Sequence, residues 1–407
     1  MKKTKKNDSN SLIRAGFMIL LASVIFSLAN FLYQFLSAKF LGPEEYSIVA
    51  SLFSIIYLIS IGSTTIQNTV TKFTADFKAK KEDGKILFLF KRGFKKLFLY
   101  SLGVLVLYLI LSPLIASFLK IPLISVLILS PFLILSALVP LNRGILQGAQ
   151  KFKGLGINMS IEGISKVILV SIFIYAGLKA NWVVLAAIMA NALAFLLTFK
   201  MLKFSNMGRL KEDHFNTKGI YQFSFLVFIA LFLITAIYNL DIFLVKHFFS
   251  AEQAGHYAAL SLLGKVIFFG ATTIGIVMFP KISGIQDDKK NSKKIFRKSL
   301  LISFFIALAI LLVYFIFSGN IVSLIFGAKY MDITPLLGMF GVFMALLSLS
   351  YICVLHKLAV GKKRFIWSLL AAVILEVLFI FIFHNSLYQI IGILIILNAI
   401  LLLLLIE

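Results

Sequence analysis

The chain has a single cysteine, Cys353, so no disulfide can form within it, and cysteine usage says nothing about redox compartment. It has five scattered histidines and no His-Glu-x-x-His run, which removes the common zinc helix. No Gly-x-x-x-x-Gly-Lys-Ser/Thr run cradles a phosphate, so nothing points to an ATPase within the chain. Acidic residues are few, 16 against 40 Lys and Arg, and their close pairs, Asp287-Asp288 among them, fall in short links between apolar runs. A nucleotide-sugar glycosyltransferase would need an acidic metal site and a soluble domain, and neither has room here. A membrane enzyme of glycan assembly is therefore the disfavoured class.

Apolar residues are abundant instead. Of 407 residues 60% are hydrophobic, and the mean hydropathy is +1.01. That much apolar surface requires lipid as solvent. Apolar runs predict twelve membrane spans at 13–38, 47–71, 97–119, 123–147, 155–177, 180–200, 219–245, 255–280, 299–319, 333–356, 365–384 and 387–406. The first run is too long for a signal-peptide core and lacks a small-residue cleavage pattern.

The net charge of +24 would suit nucleic acid, but its distribution excludes that partner. Thirty-three of the 40 basic residues fall on alternate links or at the amino terminus, and Arg143 is counted among them. The opposite links hold only Lys39, Lys120, Lys179, Lys246 and Lys329. By the positive-inside bias, both termini are expected in the cytoplasm, in a multi-pass protein of the cell membrane. The longest link follows span two. Its Lys85–Lys96 stretch mixes aromatic and basic residues, and is expected either to lie at the headgroup interface or to extend span three.

The chain also repeats. Gly62-Ser63-Thr64-Thr65-Ile66 returns 208 residues later as Gly270-Ala271-Thr272-Thr273-Ile274, and Pro43-Glu44-Glu45 faces Ala251-Glu252-Gln253 at the same offset. Six spans per half is an even number, so the halves should be parallel rather than inverted. The expected fold is an all-α polytopic membrane protein: twelve transmembrane helices as two parallel six-helix bundles, 1–210 and 211–407, around a central cavity. The boundary falls in the polar link 205–218.

Polar residues inside the spans are the candidate functional groups, because a central charge costs roughly 2.5–3.5 kcal/mol on insertion scales. Ser23, Ser27, Asn30, Gln34 and Ser37 share one face of span one, which packs on protein or walls a cavity. Span two offers Thr64, Thr65, Gln67, Asn68 and Thr71, and span four aligns Ser136, Pro140, Arg143 and Gln147. In span five Glu162 and Lys166 are four apart, glutamate first, a spacing that suits a local ion pair. The functional alternative is that Lys166 binds an anionic group while Glu162 takes up a proton or cation. Asp241, Lys265 and Glu376 have no obvious local partner, although Lys246 is near enough in sequence to pair with Asp241. Two glycosylation-like triplets, at Asn7 and Asn158, are read as accidental.

Leu41-Gly-Pro-Glu-Glu-Tyr46 after span one and Arg143-Gly-Ile-Leu-Gln-Gly148 after span four resemble the polysaccharide-biosynthesis (O-antigen type) flippases of the multidrug/oligosaccharidyl-lipid/polysaccharide exporter superfamily. The resemblance implies two bundles in a V, alternating access, and movement of a polyprenyl-(pyro)phosphate-linked oligosaccharide from the inner to the outer leaflet. It implies cationic residues for the pyrophosphate, a role that Lys265 and Arg14 fit by position. The chain departs from the pattern in lacking a deep arginine in span one. Substrate binding is accordingly expected at Arg14, Asn30, Gln34, Gln67, Asn68, Lys166 and Lys265, and ion coupling at Glu162, Asp241 and Glu376. No cofactor is expected beyond a coupling Na+ or H+. The expected partners are the lipid-linked oligosaccharide, the lipid bilayer and other glycan-assembly membrane proteins. A cation-coupled multidrug antiporter of the same superfamily is the rival. One such branch carries an acid in span one, where this chain has Asn30 and Gln34.

Overall fold

A polypeptide crossing lipid must satisfy its backbone N–H and C=O groups within itself, and the chain does so with helices. The computed structural model describes residues 2–202, 213, 218–283 and 289–406, with side chains from residue 21 onward except 218–224, 226, 227, 276, 277, 280, 281, 283 and 289. Among the described residues all regular structure is helical, and twelve helical stretches are long and apolar enough to cross a membrane. They coincide with the twelve expected spans.

Two compact units are present. The first comprises Met1–Phe40 and Ile55–Phe228, the second Leu41–Ser54 and Ile229–Glu407. Relative to the expected division at 210/211, the start of span two joins the second unit and the start of span seven joins the first. The reason for the first exchange is steric. A Cβ on Gly255 would lie 1.9 Å from the Pro43 carbonyl oxygen, so only glycine lets the two chain segments meet. Lys246 Nζ also donates to Ser47 Oγ at 2.7 Å.

In the first unit α1 (Lys2–Leu41) and α2 (Pro43–Ala79) are followed by α3 (Asp83–Leu119). Both α2 and α3 run past the apolar core, and the expected long link is reduced to a tight turn with Lys81 in the left-handed region. Lys78–Asp83 and Lys85–Glu82 ion pairs flank that turn. Phe77 of α2 and Ile86, Leu89 and Phe90 of α3 are buried in one cluster with Leu141, Ile145, Leu146, Leu155 and Leu202. The Lys85–Lys96 stretch is thus an extension of span three whose apolar side chains meet protein. Span four is broken into α4 (Leu123–Ile128) and α5 (Ser130–Gly148), with Pro131 opening the second piece, where its missing N–H costs nothing. Helices α6 (Phe152–Tyr175) and α7 (Ala180–Leu202) complete the described spans of this unit up to residue 202.

Span seven is also broken, into α8 (Lys218–Ile237) and α9 (Leu240–Phe248). The second unit continues with α10 (Ala251–Ser283), α11 (Lys289–Ile316), the short α12 (Ser318–Ile325) and a 3-10 turn at Ala328–Ile333. Helices α13 (Thr334–Ala359), α14 (Phe365–Ile382) and α15 (Leu387–Ile406) end it. The repeat is visible in helix register: α2 starts at 43 and α10 at 251, again 208 apart. Thr64 and Thr65 bond back to the carbonyls of Ser60 and Ile61, and Thr272 and Thr273 do the same to Phe268 and Phe269. The repeated motif therefore caps its own helix turn identically in both halves.

Candidate functional site

Among the described residues, each unit holds a cluster of buried charged and amide side chains within its spans. In the first unit the centre is Glu162 on α6, 4% exposed. Its Oε2 is ion-paired with the Arg143 guanidinium from α5, and its Oε1 accepts from Asn191 Nδ2 of α7 at 3.1 Å. Arg143 Nε also donates to Asn158 Oδ1 at 2.8 Å, and Asn158 is oriented in turn by donating Nδ2 to the Ala194 carbonyl at 2.8 Å. Asn158 is fully buried in this role, which removes it as a modification site.

The expected Glu162–Lys166 pair is not formed. Lys166 Nζ donates instead to Asn30 Oδ1 of α1 at 2.7 Å and lies 5.5 Å from the centre of the Tyr33 ring. Asn30 keeps that orientation by donating Nδ2 to the Phe26 carbonyl. Arg143, counted among the link charges from sequence, is buried in a helix; its signal was its alignment with Ser136 and Gln147 on one stripe.

That stripe explains the Arg143–Gly148 motif. A Cβ on Gly144 would fall 2.8 Å from Val70 Cβ, and one on Gly148 2.6 Å from the Thr71 carbonyl oxygen, so the glycines seat α5 directly on α2. Gln147 Oε1 then accepts from Gln67 Nε2 at 3.0 Å and from the Thr71 hydroxyl at 3.3 Å. Gln67, expected to bind substrate, is engaged in this interhelical contact. Asn68 is exposed, as is Thr64 one turn earlier on the same helix face. In span one Ser37 bonds back to Tyr33, and Gln34 is buried near Tyr57, so the outer part of that face packs on protein. Ser27 is exposed. The side chain of Arg14 lies outside the described residues, as do Asp287 and Asp288 and the link 205–212.

In the second unit the break in span seven builds the cluster. Asn239 sits at the break, its Nδ2 on the Thr235 carbonyl at 2.9 Å. Asp241, in the first turn of α9, accepts the Ile242 N–H at 2.8 Å and the Tyr257 hydroxyl of α10 at 2.7 Å. A carboxylate in a helix first turn is stabilised by the free N–H groups there. Its partner is therefore Tyr257 rather than Lys246, which turns to Ser47. Lys265 Nζ donates to Asn239 Oδ1 at 3.1 Å, lies 5.7 Å from the Tyr238 ring centre, and feels the Asp241 charge. Glu376 on α14, 1% exposed, lies within electrostatic reach of Asp241 and Tyr257, and its Oε1 has no hydrogen-bond partner. The sequence alone could not join Asp241, Lys265 and Glu376; that none has an obvious counter-charge within its own span was the available signal.

A span broken at the buried Asn239, with charges held inside twelve spans, defines a polytopic membrane protein of transporter architecture. Solved structures share its fold. An inward-facing multidrug resistance MATE family transporter of the MOP superfamily matches with a TM-score of 0.72 at 14% identity, covering 93% of this chain and 92% of that one. The lipid II flippase MurJ, in an inward closed conformation, matches with a TM-score of 0.71 at 16% identity, covering 96% and 87%. The chain belongs to the polysaccharide biosynthesis protein family, whose model matches residues 36–335. An uncharacterised membrane protein of Methanocaldococcus jannaschii is 25% identical over 73% of this chain and 74% of its own. A putative O-antigen transporter of Shigella flexneri is 24% identical over 46% of this chain, and the match spans 44% of that relative.

Proposed function

We propose that the protein flips a polyprenyl-(pyro)phosphate-linked oligosaccharide from the cytoplasmic to the outer leaflet of the cell membrane by alternating access, with two six-helix bundles enclosing a central cavity and both termini in the cytoplasm. The observation that carries this reading is the pair of lysines buried at membrane depth, Lys166 and Lys265, each 8% exposed and each donating to a neutral asparagine oxygen. An amide acceptor can be exchanged for a phosphate oxygen, which keeps the hydrogen bond and adds attraction between opposite charges. Exposed Thr64 and Asn68 within span two supply hydroxyl and amide groups for a sugar chain. Family membership and the O-antigen transporter relative support the same substrate class. The protein acts as a transporter rather than an enzyme.

Coupling to an ion gradient or the membrane potential is assigned to Asp241 and Glu376, two buried acids within electrostatic reach of each other, of which Glu376 keeps an unbonded Oε1 ready to take up H+ or Na+. Glu162 is the weaker candidate because the Arg143 guanidinium pairs with it directly. A cation-coupled drug antiporter is the second reading, supported by these acids and by the fold shared with multidrug transporters. Purified protein in liposomes decides between them, assayed for translocation of a polyprenyl-linked sugar and for dye efflux in parallel. In the flippase reading Lys265→Ala abolishes sugar-lipid translocation with expression intact; full activity in that variant removes Lys265 from the headgroup contact.

A further inference from the structure

Within one helix, a glutamate followed four residues later by a lysine is the arrangement that pairs most readily. Glu162 and Lys166 have that spacing, yet the ammonium is bonded to Asn30. The cause is on the neighbouring helix. Arg143 reaches from α5 to Glu162 Oε2 and is itself fixed by Asn158, while Asn191 fills Oε1. Guanidinium remains charged under all physiological conditions and outcompetes an ammonium for a planar carboxylate. We propose that Arg143 is a positioning residue for the transport reaction: by occupying Glu162 it keeps the carboxylate off Lys166, and so holds the Lys166 ammonium on Asn30, from which an anionic lipid headgroup can take it.

This assignment deepens the flippase reading and rests on it for the identity of the anion. It also fixes the charge balance of the cluster. Arg143 pairs directly with Glu162, and Lys166, bonded to Asn30 while still within electrostatic reach of Glu162, leaves the cluster with one basic group in excess. Without Arg143 the same helix turn would be neutral, because Glu162 would close on Lys166.

The test is a set of three variants in liposomes carrying a polyprenyl-linked sugar. Arg143→Gln is expected to lower flipping by about a hundredfold, the order expected when a buried ionic partner is removed. Arg143→Gln with Glu162→Gln, which takes away both the captor and its counter-charge, is expected to return flipping to within about threefold of the parent. Adding Lys166→Met to that double variant should abolish it again. Parent-like flipping in Arg143→Gln overturns the proposal. So does a double variant as inactive as the single while its melting temperature stays within about 3 °C of the parent. A structure of the Arg143→Gln protein gives a readout independent of transport. Glu162 bonded to Lys166 Nζ supports the positioning role, and Lys166 still on Asn30 overturns it. If the parent protein moves no sugar-lipid in these liposomes, the flippase reading fails, and the partner of Lys166 in that variant still decides whether Arg143 positions it.

Discussion

The two units solve the same electrostatic problem in opposite ways. Around Glu162 the first unit places two cations, Arg143 and Lys166, against one acid. Around Asp241 the second places two acids, Asp241 and Glu376, against one cation, Lys265. The first cluster thus holds one basic group more than acids, and the second one acid more than basic groups. In the first, both oxygens of the acid are occupied, one by the Arg143 guanidinium and one by Asn191. In the second, an acid is left with an orphan oxygen. A network closed by arginine keeps one charge state and suits holding an anion; a cluster of two near acids gains or loses a cation easily and suits coupling.

The contrast can be broken most severely at Glu162. Glu162→Leu strands Arg143 in a buried site, and should cost about 3–5 kcal/mol of stability, the range for removing one partner of a buried ion pair. Denaturation in detergent would show it, and an unchanged midpoint would mean the network is not closed. Glu376→Gln should sharpen the comparison from the other side. It removes a charge that has no hydrogen-bonded partner on Oε1, so its stability should stay within about 1 kcal/mol of the parent. Its transport should at the same time lose dependence on an imposed Na+ or pH gradient, and a parent-like gradient response would move coupling elsewhere. The smallest effects are expected at adjacent residues of span two. Gln67→Ala gives up an interhelical hydrogen bond and should cost about 0.6 kcal/mol, the average measured between membrane helices. Asn68→Ala should change stability by less than about 0.5 kcal/mol, as exposed positions do, and slow translocation if that face meets sugar. Equal costs at the two positions would erase the distinction between packed and exposed amides.

Much of the architecture was legible in the sequence because lipid makes it so. Twelve apolar runs, basic residues on alternate links and the 208-residue offset are one-dimensional signals, and helices α2 and α10 start in that register. The breaks in spans four and seven were not legible. Asn239 in an apolar run looks like any other polar insertion until its backbone departs from the helix. Pairing was legible only where it is local, and the buried pairs are not. Arg143 meets Glu162 across 19 residues, Lys166 meets Asn30 across 136, and Lys246 meets Ser47 across 199. The Arg143–Gly148 motif was recognised as a family mark. Its physical content, two glycines admitting α2 and an arginine admitting α6, needed the third dimension.

The hairpin of α2 and α3 beyond the apolar core has a practical consequence. Its turn at residues 80–82 is short, and Phe77, Ile86, Leu89 and Phe90 below it are buried against three further helices. A small rigid domain spliced there would inherit that anchoring. It would move with the first unit alone, serving as a fiducial mark for electron microscopy or as a fluorophore mount for timing each cycle.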